Sequence, residues 1–310
     1  IRHSSSVVRQ HMNIDLIGVP IDFGAGRRGV DMGPSALRYA GLQAALERSG
    51  HDVHDKGNVS VPVMERCTIT EPNLRFLDCI LDVAHQVAEK VQASLERHHF
   101  PLTLGGDHSF SFGSIGGAAR GKKLGVIWMD AHGDFNTTET TPSGNIHGMP
   151  LAALCGYGDA RLVNLAGHSP RSVDPKKVVI LGARDLDEGE RVLLREAGVT
   201  VIATELVDRI GMFAAVQRAI DIATRDTEGI YLSLDLDSLD PVYAPGVGTP
   251  VPGGFTYREA HLACELIAES GKLVAMDLVE VNPILDEKNR TAVVAVELAA
   301  SALGQRVWKE

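Results

Sequence analysis

Three segments of the chain place acids and histidines where apolar runs end. LTLGGDHSFSFG (102–113) carries Asp107 and His108 after two glycines, LGVIWMDAHGDFN (124–136) carries Asp130, His132 and Asp134, and IYLSLDLDSLDP (230–241) carries Asp235 and Asp237. Side chains at i, i+2 and i+4 of an extended segment share a face, with ~6.6 Å between successive members. This spacing predicts that Asp130, His132 and Asp134 point one way, and that Asp235 and Asp237 do the same. Two such arrays and His108 would then converge on one pocket. Four aspartates that close together cannot all stay ionised without a cation, because like charges raise one another's pKa. Two divalent ions balance four carboxylates, and a carboxylate and imidazole ligand set without thiolate favours Mn²⁺ over zinc. A lone Asp after a strand is usually a turn or N-cap residue, and a lone His a satisfied core or surface group. Six such residues in three correlated positions point instead to a metal centre.

The elements that must position them follow from hydrophobic patterning. Strand-like runs occupy 14–20, 51–59, 100–106, 124–130, 177–183, 199–203, 229–237 and 272–281. Between most of them lie stretches with i, i+3, i+4 apolar spacing, for example 35–50, 78–98, 211–226, 257–271 and 290–304. Strands that are apolar throughout and separated by helices indicate a parallel sheet covered on both faces. With right-handed crossovers this gives an α/β fold: a three-layer α/β/α sandwich with a mostly parallel, doubly wound sheet of about eight strands. In such sheets ligands collect at the carboxyl ends of the strands, where all three acid clusters fall. No repeat or linker divides the chain, so residues 13–310 are expected to form a single catalytic domain, preceded by a polar leader or expression-derived segment, 1–12. Residues 24–29 read GAGRRG, a literal GxGxxG after the first strand, with Asp52 and Asp55 near the next. In a dinucleotide fold the helix begins within the glycines. Here Val30-Asp31-Met32-Gly33-Pro34 intervenes and Pro34 is better placed as the first helical residue, so nicotinamide binding is not expected.

With 44% hydrophobic and 23% charged residues over 310, the composition is that of a globular protein with a full core. A net charge of −10 argues against a nucleic-acid or anionic-membrane surface and is compatible with a cationic substrate. Cys67, Cys79, Cys155 and Cys264 are scattered without a CxxC pair, which reads as buried thiols of a reducing compartment rather than a disulfide or zinc framework. No apolar run approaches the ~20 residues that span a bilayer, and the start lacks a secretory h-region. Cytoplasmic localisation is the expectation.

The blocks GGDHS, DAHGD and SLDLDSLDP are the signatures of the ureohydrolase (arginase–agmatinase) family, which the chain resembles from RRGVDMGPSALR (27–38) to LVEVNPILDEKNRTA (278–292). The resemblance implies a binuclear Mn²⁺ site. His108, Asp134, Asp130 and Asp235 would hold one ion; His132 and Asp237, with Asp130 and Asp235 bridging, would hold the other. A hydroxide shared by the ions would attack a guanidinium carbon. Catalytic groups implied beside it are Asp134, His147 in SGNIHGMP as proton shuttle, and Glu280 in VEVNP as the carboxylate that orients the guanidinium. Asn136 and Ser143 resemble contacts to a substrate α-carboxylate. Asp187 and, less directly, Glu190 resemble contacts to an α-ammonium, although Asp-x-x-Glu is also a helix capping box. Thr249 matches a position near the guanidinium. Agmatine has no carboxylate, so these groups favour arginase-type hydrolysis of L-arginine to L-ornithine and urea. Agmatinase or another guanidino or amidino hydrolase is the alternative, and a non-catalytic metal-bearing protein a remote one. Pro142 stands before Ser143 where a small hydroxyl residue is expected, restraining Thr141 and removing an N–H from the recognition loop. The resemblance also implies a homotrimer or homohexamer, the hexamer slightly favoured because little chain follows the last helix.

Overall fold

The computed structural model describes residues 11–165, 167 and 171–306. Each expected apolar run forms a strand: β1 (Asn13–Val19), β2 (Asp52–Asn58), β3 (Phe100–Gly105), β4 (Leu124–Met129), β5 (Val178–Leu181), β6 (Thr200–Ile202), β7 (Gly229–Asp235) and β8 (Leu273–Val279). They make one eight-stranded sheet in the order β2-β1-β3-β8-β7-β4-β5-β6. Every pairing is parallel.

The inner strands are largely apolar and almost wholly buried because both faces are covered. On one face α1 (Gly33–Tyr39), α2 (Leu42–Arg48), α8 (Thr204–Ile210), α9 (Met212–Thr224), α10 (Tyr257–Glu269) and α11 (Arg290–Ala302) bury Ile14, Leu16, Ile127, Met129, Val179 and Leu181. On the other, α3 (Leu77–Glu96), α4 (Ser111–Ala118), α5 (Pro150–Leu154), α6 (Ala160–Val163) and α7 (Glu188–Ala197) cover Ile17, Val19, Val126, Trp128, Val178 and Ile180. Alternation along β1, β4 and β5 sends successive side chains to opposite cores. The result is the expected sandwich. Strands β3, β8, β7 and β4 are neighbours, so their carboxyl ends open side by side.

The structure departs from the sequence expectations in several places. The helical pattern at 35–50 breaks at Ala40–Gly41, with Gly41 at φ 86°, into α1 and α2. Helix α1 starts at Gly33, one residue before Pro34. Residues 1–10 of the supposed leader and 307–310 lie outside the described residues. The reading of all four cysteines as thiols is corrected: Cys67 and Cys79 form a disulfide, with Cα atoms 6.2 Å apart, while Cys155 and Cys264 are free and buried. Spacing concealed the pair, because Cys79 lies in the first turn of α3 and the irregular chain before it folds back to bring Cys67 alongside.

Candidate metal centre and substrate cleft

Four adjacent strand tips supply the site. After β3, Gly106 and Asp107 lead into a single 3-10 turn, His108–Phe110, which Asp107 caps by accepting the Ser109 N–H at 2.9 Å. After β4 come Asp130, His132 and Asp134; β7 ends on Asp235 and runs into a 3-10 turn carrying Asp237; β8 ends beside Glu280. The expected extended arrays are corrected in detail. Asp130 Oδ1 accepts the His132 N–H at 2.6 Å, and Asp235 Oδ1 accepts the Asp237 N–H at 2.8 Å. These are Asx-type turns, which compete with extended chain. Asp134 turns further, into the left-handed region at φ 49°. The turning tightens the convergence: His108 Nδ1 lies 3.2 Å from Asp130 Oδ2, 3.1 Å from Asp134 Oδ2 and 3.2 Å from Asp235 Oδ2. His132 Nδ1 lies 3.3 Å from Asp130 Oδ1 and 3.1 Å from Asp237 Oδ2. Asp130 thus shows one oxygen to each group, as a bridging carboxylate would, and two sets of donors close enough to hold a cation share it.

The donor atoms fit a metal. His108 Nδ1 is buried and makes no hydrogen bond, although three carboxylate oxygens surround it. Its other nitrogen is committed: Nε2 sits 2.8 Å from Ser233 Oγ, which donates to Asp277 Oδ1 at 2.6 Å. Ser233 therefore accepts from Nε2–H, leaving a lone pair on Nδ1 aimed among the carboxylates. The His108 ring stacks on Trp128 at 4.0 Å, and the Trp128 indole N–H donates to Asp130 Oδ2 at 2.9 Å. Without a cation the cluster cannot be uniformly ionised. Burial pushes Asp134 up to about 6 with Asp130 adding to it, and burial together with Asp237 and Asp130 raises Asp235. Burial alone would lower the His108 pKa, but Asp130, Asp134 and Asp235 raise it well above the usual imidazole range. The field that draws a proton to Nδ1 draws a metal ion equally.

Above this cluster one cleft is lined by His132, Asp134, Asn136, Ser143, His147, Asp187, Glu190, Asp235, Thr249 and Glu280; Thr141, Pro142, Asn145 and Asp185 complete its wall. His108, Asp130 and Asp237 lie buried beneath. Glu280 is 1% exposed at φ 65°; its Oε1 accepts the His108 N–H at 2.9 Å and lies 3.3 Å from His147 Nδ1, while Oε2 has no hydrogen-bond partner. A buried carboxylate oxygen left unpaired is costly unless a ligand supplies the donor. Burial would lower the His147 pKa, but Glu280, Asp134 and Asp107 override it and hold it up to about 9. Thr249 donates to Asp237 Oδ2 at 3.1 Å.

The amino-acid end of the cleft is interlocked. Asn136 Nδ2 donates to Asp187 Oδ2 at 2.8 Å. Asp187 and Glu190 form the capping box of α7, Glu190 Oε2 accepting the Asp187 N–H at 3.2 Å and Oε1 the Phe135 N–H at 2.7 Å. Both Glu190 oxygens are therefore engaged by backbone, and burial pushes its pKa up to about 8. Gly133 makes this approach possible, since a Cβ there would meet the Glu190 carboxylate at 2.7 Å. Around Pro142 the loop is folded by Thr141 Oγ1, which accepts the Gly144 N–H at 2.9 Å.

Several contributors escaped the sequence reading. Asp277 takes hydroxyl donors from Ser111, Ser114, Tyr231 and Ser233, all buried. The signal was an acid inside the apolar run LVAMDLV. Arg184 donates to the carbonyls of Asp237 and Val251, each at 2.6 Å, pinning the turn that carries Asp237. The GAGRRG glycines also act locally: the Gly24 N–H donates to Asp107 Oδ2 at 2.9 Å, and the Gly24 carbonyl accepts the His147 N–H at 3.1 Å.

The same fold is shared with known proteins. The profile of the arginase family matches residues 12–304. The chain belongs to the arginase family. Among its members the arginase of Brevibacillus brevis is 50% identical over 296 residues, covering 95% of this chain and 99% of the relative. The crystal structure of arginase from Bacillus caldovelox superposes with a TM-score of 0.93 at 49% identity, covering 96% of this chain and all of the other. That of arginase from Bacillus cereus gives 0.91 at 50% identity and the same coverage. The family expectation for the sandwich is met, and the buried donor sets on its central strands are suited to hold two metal ions.

Proposed function

We propose that the protein is a manganese-dependent arginase that hydrolyses L-arginine to L-ornithine and urea. The observation that carries this reading is a cleft lined by Glu280, with its unpaired Oε2, directly above the hydrogen-bond-free His108 Nδ1 among three carboxylates. His108, Asp130, Asp134 and Asp235 would hold one Mn²⁺, and His132 and Asp237 the second, with Asp130 and Asp235 shared. Two such ions, when bound, supply water as a nucleophile at neutral pH. The chain does the rest. Glu280 pairs with the planar guanidinium through its free oxygen and sets the carbon over the cluster. His147, which Glu280 keeps protonated, delivers a proton to the departing amine. Asn136 and Ser143 receive the α-carboxylate and Asp187 the α-ammonium; Glu190 acts through the positions of Asp187 and Phe135. Thr249 steadies Asp237 at the guanidinium end.

The manganese-loaded protein should release urea from L-arginine in a colorimetric assay run beside agmatine and guanidinobutyrate. Putrescine formed faster than ornithine would replace the reading with agmatinase, and no urea from any of the three would leave a non-catalytic metal-bearing protein. Exposed Phe213, Val242 and Ile284 support self-association as a homotrimer or homohexamer. Among the described residues no helix is long and apolar enough to cross a membrane. A cytoplasmic site of action fits an arginine-consuming enzyme, but the Cys67–Cys79 disulfide removes the cysteine argument for it.

A further inference from the structure

The Cys67–Cys79 crosslink closes a short stretch of chain that touches a loop of the cleft. Cys79 is fixed in the first turn of α3, whose Ile80, Val83, Ala84 and Val87 are fully buried. The chain between the two cysteines contains no helix or strand before Leu77. It nevertheless forms the floor of the loop over residues 137–145. Asn73 Nδ2 donates to the Thr138 carbonyl at 2.9 Å, and the Arg75 N–H donates to the Gly144 carbonyl at 3.1 Å. Gly144, at φ 73°, is pressed so closely onto the Pro72 carbonyl that a Cβ would overlap it. The floor thus grips the recognition loop on both sides of Thr141, Pro142 and Ser143, three residues of the cleft wall.

We propose that the Cys67–Cys79 disulfide is a positioning element for recognition of the substrate's amino-acid end, holding the 71–75 segment, and through it Ser143, in register with Asn136 and Asp187. This rests on the reading of the cleft given above. The metal ligands follow β3, β4 and β7, and neither cysteine lies on those strands or their tips, so opening the crosslink acts first on the loop that the 71–75 segment holds. A water-soluble phosphine opens it by giving two electrons to the S–S bond; water supplies the oxygen of the phosphine oxide and the two protons of the new thiols.

The test uses the manganese-loaded full chain, oxidised and phosphine-reduced, with the Cys67→Ser/Cys79→Ser double variant as an independent way to open the crosslink. Alkylation under denaturing conditions followed by intact mass should count two free cysteines in the oxidised protein and four after reduction. In the reduced protein and in the variant, KM for L-arginine and the dissociation constant for L-ornithine should rise about three- to tenfold, the loss of roughly one hydrogen bond, with kcat within about twofold. Manganese content should stay unchanged, and phosphine should have no effect on the variant. Unchanged KM and ornithine affinity in both forms would overturn the proposal. So would a fall in kcat and manganese content alongside the rise in KM, which marks a general stability staple, or four alkylatable cysteines after treatment with oxidant, which shows that no crosslink forms. If the oxidised protein releases no urea, the functional reading fails by itself, and the ornithine affinity of the two redox forms still decides the clamp.

Discussion

Asp277 never reaches the acid–histidine cluster, yet it governs a residue that does. Its carboxylate takes the Ser233 proton, Ser233 takes the His108 Nε2 proton, and the lone pair of His108 Nδ1 is thereby directed at the ligand cluster. Replacing Asp277 by Asn removes the obligatory acceptor and leaves the tautomer of His108 unfixed. Manganese affinity of Asp277→Asn, measured by titration with a competing chelator, should fall about 10- to 100-fold, the usual cost of losing an outer-shell partner. Affinity equal to the parent would show that the relay does not orient the ligand. At this scale the clustering of the candidate ligands was legible, because four acids and two histidines at strand ends have no ordinary structural reason to coincide. Asp277, Ser233 and Trp128 were not, since a residue that acts through another leaves no spacing of its own in the sequence.

Among the elements, β1 and α3 are joined by a buried acid remote from the cleft. Asp15 on β1 accepts from Ser94 at 2.7 Å and Arg97 at 2.9 Å near the end of α3, and it also meets His99 at 3.0 Å and Lys56 at 3.2 Å. Burial alone would raise its pKa; the hydrogen bonds from His99, Ser94, Arg97 and Lys56 outweigh it and hold the carboxyl well below the usual carboxylate range. A folded-state pKa below the unfolded value contributes stability that is present above about pH 4 and is lost as pH falls. Asp15→Asn should therefore melt several degrees below the parent at pH 7, and the gap should start to narrow below about pH 5 and still be closing at about pH 3. A gap independent of pH would assign the effect to packing. The strands were legible from apolar runs and α3, α9, α10 and α11 from their periodicity. Helix α4 was not, because SFGSIGGA is poor in helix formers. Its Gly113 and Gly117 are there for contact with the backbone of Ala84 and Ala88 in α3, which only the packed structure reveals.

For the molecule as a whole, the class of fold followed from alternation of strands and helices, but the strand order did not. Which strand neighbours which depends on long-range packing of two cores, and the placement of β8 between β3 and β7 is what sets Glu280 next to His108. The net charge of −10 suits a cationic substrate and leaves association to apolar patches rather than charge. Light scattering after size exclusion should give three or six times the 33.2 kDa chain, with Val242→Asp lowering the assembly state if that exposed valine is buried between subunits. A parent of single-chain mass would remove the oligomer from the reading.

Asp134 and Glu280 both occupy backbone conformations that glycine tolerates and other residues adopt at a cost of about 1–2 kcal/mol. On the function proposed above, two buried side chains that serve the metal centre and the guanidinium therefore stand where the heat-resistant choice is a different amino acid. Laboratory evolution scored only on survival at high temperature would drift toward glycine at 134 and 280, yielding sturdy variants without turnover. A campaign to toughen this scaffold has to hold those two positions fixed.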